Sequence, residues 1–208
     1  MLVVKNLKAW YGAAQALFDV SLQVAPGELV VLQGLNGAGK STLLQAIMGI
    51  GPRVSGLISY QNNSISAWEP HRRAQAGLGY VAEDRRLFAA LTVQENLRVA
   101  ARGDVQANEA RVLDLFPALK SMLRRLSSQM SGGEQQMLAV ARTLMTAPKL
   151  LLLDEPCEGI SPVLVESMVQ ALLALKAQGM PMLVAEQNSI LAERADRVIT
   201  LVAGQLKA

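Results

Sequence analysis

The fold is decided by one stretch, Gly34-Leu35-Asn36-Gly37-Ala38-Gly39-Lys40-Ser41-Thr42, which follows the mostly apolar run 29–33. Its glycines let the backbone curl until consecutive N–H groups point at one phosphate, and a helix that starts near Lys40 adds the positive end of its dipole. We predict a phosphate-binding loop, in which Lys40 meets the β- and γ-phosphates and Ser41 ligates Mg²⁺. The alternative is an ordinary glycine-rich turn between a strand and a helix.

The composition predicts a globular chain without a membrane span. The 208 residues are 51% hydrophobic, and no apolar stretch approaches the roughly 20 residues needed to cross a bilayer. The net charge of +3 comes from scattered lysines and arginines, so we expect no nucleic-acid partner. The single cysteine, Cys157, excludes an internal disulfide. We therefore expect a cytoplasmic protein.

The order of strand and helix patterns predicts an α/β fold. Buried strands are expected at 29–32, 78–81, 150–153 and 182–185, after β-rich segments at 3–7 and 21–24 and before a hairpin at 198–207. Helical patterns occur at 93–101, 108–116 and 132–146. We predict one domain over 1–208, with a mostly parallel sheet, flanking helices and an antiparallel β segment. Its core covers about 1–88 and 147–208, and an inserted α-helical subdomain covers about 89–146.

Two adjacent carboxylates follow a strongly apolar strand. The sequence Leu150-Leu151-Leu152-Leu153-Asp154-Glu155-Pro156 places them at the end of a buried strand, where open α/β sheets bind their ligands. An isolated acidic pair is more often the polar end of a strand, but the phosphate loop in the same chain favours a functional interpretation. We predict that Asp154 holds Mg²⁺ and that Glu155 polarises the attacking water.

A second segment with paired glycines, Ser131-Gly132-Gly133-Glu134, opens a predicted long helix. Serine followed three residues later by glutamate is a capping box, which any helix can use. The cap does not explain the two glycines. Because they have no side chains, a phosphate can approach the N–H groups of the helix N-terminus and the Ser131 hydroxyl. The residues alone leave both interpretations open.

These three motifs, taken in order, resemble the nucleotide-binding subunit of an ATP-binding-cassette (ABC) transporter. The resemblance covers essentially the whole chain and implies a P-loop NTPase core. In that family two subunits enclose two ATP molecules head to tail, and the helix start of one subunit completes the site of the other. It therefore implies that Ser131, Gly132, Gly133 and Glu134 contact the nucleotide of a second ABC ATPase subunit, identical or paralogous.

Further segments resemble the ATPases of branched-chain amino acid, urea and amide importers. These segments are Tyr11-Gly12, 81–88, 91–97, 158–162 and 186–188. The resemblance implies that Tyr11 stacks on adenine and that Glu83 lies beside Mg²⁺. It also implies that Gln187 contacts the γ-phosphate, at a position where many members have histidine.

The function implied is ATP hydrolysis that energises uptake of branched-chain amino acids, or of a related small polar solute such as urea or amides. The implied cofactors are ATP and Mg²⁺. The implied partners are integral-membrane permease subunits and a separate solute-binding protein, with this chain on the inner face of the cell membrane. One alternative is a soluble ABC ATPase that remodels nucleic acid, ribosomes or protein assemblies. Another is a non-enzymatic regulatory cassette, which is expected to lose Lys40, Asp154 or Glu155.

Two further features are interpreted from their surroundings. The stretch Leu87-Phe88-Ala89-Ala90-Leu91 follows the Glu83 loop and is expected either to form a groove for a helix of a membrane partner or to be buried in the helical subdomain. Cys157 has no histidine near it in sequence, so we expect a small buried residue rather than a nucleophile.

Overall fold

The computed structural model describes residues 1–187 and 189–207, which form ten strands and seven α-helices. The strands are β1 Leu2–Tyr11, β2 Ala14–Val24, β3 Leu29–Gln33, β4 Arg53–Tyr60, β5 Asn63–Ser64, β6 Leu78–Val81, β7 Leu150–Asp154, β8 Met182–Ala185, β9 Arg197–Val202 and β10 Gln205–Leu206. The α-helices are α1 Lys40–Met48, α2 Pro70–Gln75, α3 Val93–Val99, α4 Val105–Leu115, α5 Gly132–Leu144, α6 Pro162–Ala177 and α7 Ser189–Ala192. Two 3-10 helices lie at Pro117–Met122 and Ser127–Gln129.

The central sheet is mostly parallel, as predicted. Its strand order is β10-β9-β3-β8-β7-β6, with β10 antiparallel at one edge and every other neighbouring pair parallel. A second, antiparallel sheet has the order β2-β1-β4-β5. Because parallel strands share one direction, the carboxyl ends of β3, β6, β7 and β8 meet at the same edge of the sheet.

Alternation along the strands divides the core into two layers. Val30, Leu32 and Leu152 face the layer shared with the antiparallel sheet and α1. Val31 and Leu153 face the layer shared with α3, α4, α5 and α6. Successive side chains of a strand point to opposite faces, so a fully apolar strand can serve both layers.

The helical segment between β6 and β7 packs on the central sheet rather than around a core of its own. Side chains of α3, α4 and α5 belong to the same buried cluster as those of β7 and α6. Both α3 and α5 begin with a capping box. Helix α4 begins at Val105, three residues earlier than expected, because the Asp104 side chain caps it by accepting from the Ala107 N–H group. The division into a core and an inserted subdomain stays an interpretation.

The first hairpin is longer than the sequence pattern indicated. The expected segments 3–7 and 21–24 are parts of β1 and β2, which pair over almost their whole length. Register shifts interrupt this pairing, and Asn6 and Asp19 have φ angles of 50° and 62°. Such bulges change which residues face inward, so the alternation that identifies a strand is hidden in the sequence.

A buried arginine holds the end of the helix that follows the phosphate loop. The Arg73 guanidinium is 2% exposed and donates to the carbonyl oxygens of Ala46 and Ile47, at 3.0 and 2.8 Å. It also donates to the carbonyls of Ser66 and Trp68. Cations at a helix C-terminus satisfy carbonyls that have no partner within the helix. Arg73 therefore fixes α1 against α2.

The helices are too short or too polar to span a membrane over the described part of the chain, residues 1–187 and 189–207.

Candidate active site

The glycine-rich loop connects the end of β3 to the start of α1, as predicted. Gly39 precedes α1 with a φ of 105°, and no side chain caps this end of the helix. The first N–H groups of α1 are therefore left for an anion. Gly34 is required for a different reason, because a Cβ atom there would lie 2.5 Å from the carbonyl oxygen of Leu201.

Lys40 is almost fully buried and contacts a carboxylate from a distant part of the chain. Its Nζ atom lies 2.9 Å from Oε1 of Glu155, and both side chains are less than a tenth exposed. Nζ also donates to the carbonyl oxygens of Gly34 and Leu35, at 2.8 and 3.2 Å. The ammonium group is thus held at the mouth of the phosphate loop by acceptors that a phosphate can replace.

Two of the three residues predicted at the Mg²⁺ site, Ser41 and Asp154, lie side by side. The Ser41 hydroxyl donates to Oδ1 of Asp154 at 3.0 Å, and the Tyr80 hydroxyl donates to Oδ2 at 3.3 Å. Burial raises the pKa of the Asp154 carboxyl to about 6; hydrogen bonds from Ser41 and Tyr80 oppose this, and the charges of Glu155 and Glu83 add to it. A buried carboxylate beside other carboxylates is a place where a cation is favoured.

This oxygen set fits Mg²⁺ bound together with phosphate. Over the described residues, 1–187 and 189–207, no cluster of three or more His, Cys, Asp or Glu side chains is suited to hold a metal. Mg²⁺ commonly takes one or two protein oxygens, with phosphate oxygens and waters completing its shell. Glu83 is exposed and lines the same small recess as Ser41 and Asp154.

Glu155 is held in a strained conformation. It directly follows β7, is 6% exposed and has a φ of 49°. A left-handed φ is uncommon for a residue other than glycine, and such strain persists where the surroundings impose it. Here its N–H group donates to the carbonyl of Ala185, the last residue of β8, at 2.9 Å. The neighbouring strand therefore fixes the orientation of the Glu155 carboxylate.

Gln187 lies between the phosphate loop and Glu155. Its Nε2 atom donates to Oδ1 of Asn36 and lies 3.4 and 3.3 Å from Oε1 and Oε2 of Glu155. The structure thus brings together residues from three segments that the sequence analysis had assigned to one site. Asn188, the last residue of the segment 186–188, lies outside the described residues.

Glu186 supports this arrangement and was not predicted as a site residue. Its buried carboxylate accepts from the N–H groups of Cys157 at 2.7 Å and of Gln187 at 3.2 Å. It therefore joins the loop after Glu155 to the loop that carries Gln187. Cys157 is buried as expected, and burial next to Glu186 raises its pKa, which disfavours a nucleophilic thiolate. The sequence signal that could have identified Glu186 is its position as a charged residue directly after a fully apolar strand.

A cleft of about 570 Å³ is lined by eight of the eighteen predicted site residues. Its lining consists of Gln15, Ala16, Phe18, Asn36, Gly37, Gly39, Lys40, Ser41, Thr42, Glu83, Glu155, Glu158, Ala203 and Gly204. Gly34, Leu35 and Ala38 line a neighbouring cavity together with Gln187. Phe18 and Glu158 were not predicted; the Phe18 ring is 37% exposed and gives the cleft an apolar surface opposite the polar loop.

Tyr11 is not brought into this cleft. Its hydroxyl donates to Oε1 of Gln45 on α1 at 2.9 Å, and the residue is 47% exposed. The assignment of Tyr11 to adenine stacking therefore stays a prediction.

The Ser131 helix start also lies outside the cleft. Of the described residues that line the cleft, none comes from 131–134. Ser131 and Glu134 form the capping box. Gly133 also has a packing reason, since a Cβ on it would lie 2.4 Å from Cδ1 of Leu164. The assignment of Gly132 and Gly133 to a partner's phosphate stays a prediction. Gly132 is exposed, and it alone of the pair presents its backbone to solvent.

The stretch 87–91 lies at the surface of the helical segment. Phe88 is half exposed, and the Arg142 guanidinium lies 5.4 Å from the centre of its ring. The Asn96 side chain, which is fully buried, bonds to the N–H and carbonyl groups of Phe88 and so fixes the backbone of this stretch. Residues 88–90 are exposed and Leu87 and Leu91 are partly buried, so the stretch is not enclosed by the helical segment; a groove for a partner helix stays a prediction.

The family model described as ABC transporter matches residues 17–158, which include the phosphate loop, the Ser131 helix start and the two carboxylates. The chain belongs to the ABC transporter family. It is therefore an ATPase of that family, with the P-loop NTPase fold that the sequence indicated.

Among curated relatives of this ABC ATPase, the high-affinity branched-chain amino acid transport ATP-binding protein BraG of Pseudomonas aeruginosa is 40% identical. That match covers 99% of this chain and 91% of the relative. The probable branched-chain amino acid transport ATP-binding protein LivF of Archaeoglobus fulgidus is 35% identical, over 99% of this chain and 90% of the relative. The lipopolysaccharide export system ATP-binding protein LptB of Escherichia coli is also 35% identical, over 90% of this chain and 80% of the relative.

Among solved structures, a dimeric bacterial ABC transporter cassette superposes with a TM-score of 0.89. It is 25% identical to this ABC ATPase, and the match covers all of this chain and 97% of the other.

Proposed function

We propose that this ABC ATPase is the ATP-hydrolysing subunit of an importer for branched-chain amino acids or a related small polar solute. The observation that carries the hydrolytic part is the contact among Lys40, Glu155 and Gln187, three side chains from three separate segments at one edge of the sheet. The likeness to BraG and LivF over nearly the whole chain supports the importer part.

Each side chain has a distinct task in hydrolysis. The Lys40 ammonium and the free N–H groups of α1 bind the β- and γ-phosphates. The Glu155 carboxylate orients and polarises the attacking water, since it is fixed beside the phosphate loop by strand β8. The Gln187 amide donates a hydrogen bond to the γ-phosphate, where negative charge concentrates during the reaction.

Ser41 and Asp154 are the proposed ligands of Mg²⁺, with Glu83 nearby. When bound, this ion would offset the negative charge of the phosphates. The hydrogen bond between Ser41 and Asp154 holds both oxygen atoms at the start of α1, next to the place where the phosphates bind.

A second subunit completes each site. The Ser131 helix start does not line the cleft of its own chain, so a nucleotide bound there is left without the contacts that this segment is expected to supply. Ser131 and the exposed Gly132 are free to face the nucleotide of a partner subunit. The dimeric cassette that superposes on this chain supports such a pair.

Membrane permease subunits and a solute-binding protein are the remaining proposed partners, which places this chain at the inner face of the cell membrane. The half-exposed Phe88 and its neighbours supply a surface for a short helix of the permease.

Uptake assays test the proposed function in cells. Deletion of the gene should abolish uptake of one labelled solute among leucine, valine, urea and acetamide, and the wild-type gene should restore it. The Lys40→Ala gene should not restore it, because the phosphates lose their main cationic contact. Unchanged uptake of all these solutes, together with co-purification of ribosomes or nucleic acid, would support the soluble alternative. A defect confined to lipid export would support a role like that of LptB.

Mixed dimers test the two-subunit site directly. Ser131→Arg damages the helix start and Lys40→Ala damages the phosphate loop. A dimer with one copy of each contains one intact composite site, so it should recover hydrolysis that neither homodimer shows. Dimers are isolated through two different affinity tags. Mixed dimers that form but stay inactive would contradict the composite site.

A further inference from the structure

Arg85 ties the Glu83 loop to helix α5 through three hydrogen bonds. Its Nε atom donates to Oε1 of Gln136 at 3.0 Å, and its Nη1 atom donates to Oε1 of Gln135 at 3.2 Å. Its carbonyl oxygen accepts from Nη2 of Arg142, also on α5, at 3.1 Å. The φ of Arg85 is 61°, a conformation that needs such support in a residue other than glycine.

The contacts with Gln135 and Gln136 lie near the start of α5, next to Ser131, whereas Arg142 lies in the last turn of the helix. Both terminal nitrogens of Arg85 lie 3.3 Å from the place where a Cβ on Gly132 would stand, so the guanidinium packs against the exposed glycine. Gln135 in turn donates to the carbonyl of Ser127, which belongs to the segment before the helix. One arginine thus braces both the start of α5 and, through Gln135, the chain that leads into it.

The loop after β6 that carries Glu83 also lies beside the proposed Mg²⁺ site. Glu83 lies two residues before Arg85 and shares a recess with Ser41 and Asp154. The adjacent arginine does not take part, because Arg86 pairs with Asp84 at the surface, where both side chains are more than half exposed. Arg85 is therefore the side chain of this loop that reaches α5 through two hydrogen bonds of its own.

We propose that Arg85 is a positioning residue for the partner subunit's site. It fixes Ser131 and Gly132 in the orientation in which they complete that site, and it links the Glu83 loop of one site to the phosphate contacts of the other. The proposal rests on the two-subunit site proposed above.

Mixed dimers distinguish this role of Arg85 from two other roles, because each role predicts a different result for hydrolysis in the two mixtures of variants. Arg85→Gln combined with Lys40→Ala should recover hydrolysis, since the intact phosphate loop of the first faces the intact helix start of the second. Arg85→Gln combined with Ser131→Arg should not recover it, since both helix starts are then damaged. If Arg85 serves its own subunit's site, the two results are reversed. If it only holds the fold together, neither mixture recovers.

The Arg85→Gln homodimer should lose about ten- to a hundredfold in turnover at saturating ATP, since displacement of a contacting group by roughly 1 Å costs up to about a hundredfold. Its ATP affinity should stay near that of the wild type, because its own phosphate loop is intact. Arg111→Gln, which alters an exposed arginine on α4, is the matched control for charge. Thermal unfolding of each variant shows whether the fold is kept.

A second pair of variants approaches the same contact from α5. Gln136→Met keeps the side-chain volume and removes the acceptor for Arg85, so it should reproduce the mixing pattern of Arg85→Gln. Gln136→Glu keeps an acceptor at that position and should lose less turnover than Gln136→Met. These variants decide the matter if Arg85→Gln does not fold.

The outcomes that overturn the proposal are distinct from failure of the proposed function. The mixture of Lys40→Ala and Ser131→Arg reports on the composite site alone. If this mixture does not recover hydrolysis, both the composite site and the role of Arg85 are contradicted. If that mixture recovers, wild-type turnover in the Arg85→Gln homodimer overturns the role of Arg85. So does recovery of Arg85→Gln with Ser131→Arg, or failure of Arg85→Gln with Lys40→Ala.

Discussion

The Nζ atom of Lys40 lies 2.9 Å from Oε1 of Glu155, although the two residues are far apart in sequence. The ion pair joins the proposed phosphate-binding group to the proposed base. We expect a triphosphate to compete with Glu155 for the same ammonium, so that binding of the nucleotide frees the carboxylate to polarise water. Under this proposal, nucleotide binding and activation of the base are coupled through one contact.

Glu155→Gln is expected to change ATP binding and ATP hydrolysis in opposite directions. The neutral amide competes less for Lys40 and does not repel the phosphates, so ATP affinity should rise by about tenfold, or roughly 1.4 kcal/mol. Turnover should fall by about 10²- to 10⁴-fold, the usual contribution of general-base catalysis. Equilibrium binding measures the ATP affinity, and steady-state hydrolysis measures the turnover. Glu158→Gln, which alters an exposed carboxylate of the same cleft, is the comparison, and an equal loss there would argue against a special role of Glu155.

Lys40→Ala should weaken ATP binding by about ten- to a hundredfold, since hydrogen bonds to charged groups are worth roughly 1.5–3 kcal/mol. It also leaves Glu155 buried without its cation, which should lower the free energy of unfolding by about 3 kcal/mol.

The double variant Lys40→Ala/Glu155→Gln distinguishes the two consequences. It should recover much of the stability in denaturant unfolding, because no unpaired charge remains, but none of the ATP affinity. Recovery of ATP affinity in the double variant would mean that Lys40 does not bind phosphate.

Gln187→Ala should lower turnover far more than ATP affinity. The amide contributes most when charge builds on the γ-phosphate, and loss of one such donor costs about a hundredfold in comparable sites. The decisive quantities are the turnover at saturating ATP and the dissociation constant for ATP. Unchanged turnover in the assembled transporter would show that the contact with Asn36 and Glu155 is only structural.

Gly133→Ala and Gly132→Ala should differ although the residues are adjacent. A Cβ on Gly133 meets Leu164 at 2.4 Å, and such overpacking costs about 1–3 kcal/mol of unfolding free energy. A Cβ on Gly132 meets only the flexible end of Arg85, so stability should change by no more than about 0.5 kcal/mol.

Catalysis should reverse the ranking of the two glycines. Gly132→Ala should lower turnover in the dimer, because we propose that this exposed glycine approaches the partner's phosphate. Chemical denaturation measures the change in stability, and steady-state hydrolysis measures the change in turnover. Equal effects of the two substitutions on stability would contradict the packing argument.

The sequence by itself determined the features that depend on neighbours in the chain. The glycine spacing from Gly34 to Gly39 predicts a phosphate loop from local pattern, and the helix after it follows from local periodicity; the close approach of Leu201 to Gly34 is seen only in the structure. The capping box of Ser131 and Glu134 is also local. The apolar run of β7 determined that Asp154 and Glu155 stand at the end of a buried strand. The family resemblance then assigned Gln187 to the site, which the order of residues alone does not do.

Only the tertiary structure decided which of these segments touch. The contacts of Lys40 with Glu155, of Gln187 with Asn36 and of Arg85 with α5 join residues that are brought together by the register of parallel strands and by the packing of α5 on the sheet. A one-residue change of register would turn these side chains to the opposite face of the sheet. The bulges in β1 and β2, the placement of Tyr11 beside Gln45 and the packing role of Gly133 depend on partners far along the chain. No local pattern specifies them, because the free energy that fixes each one comes from burial against those partners.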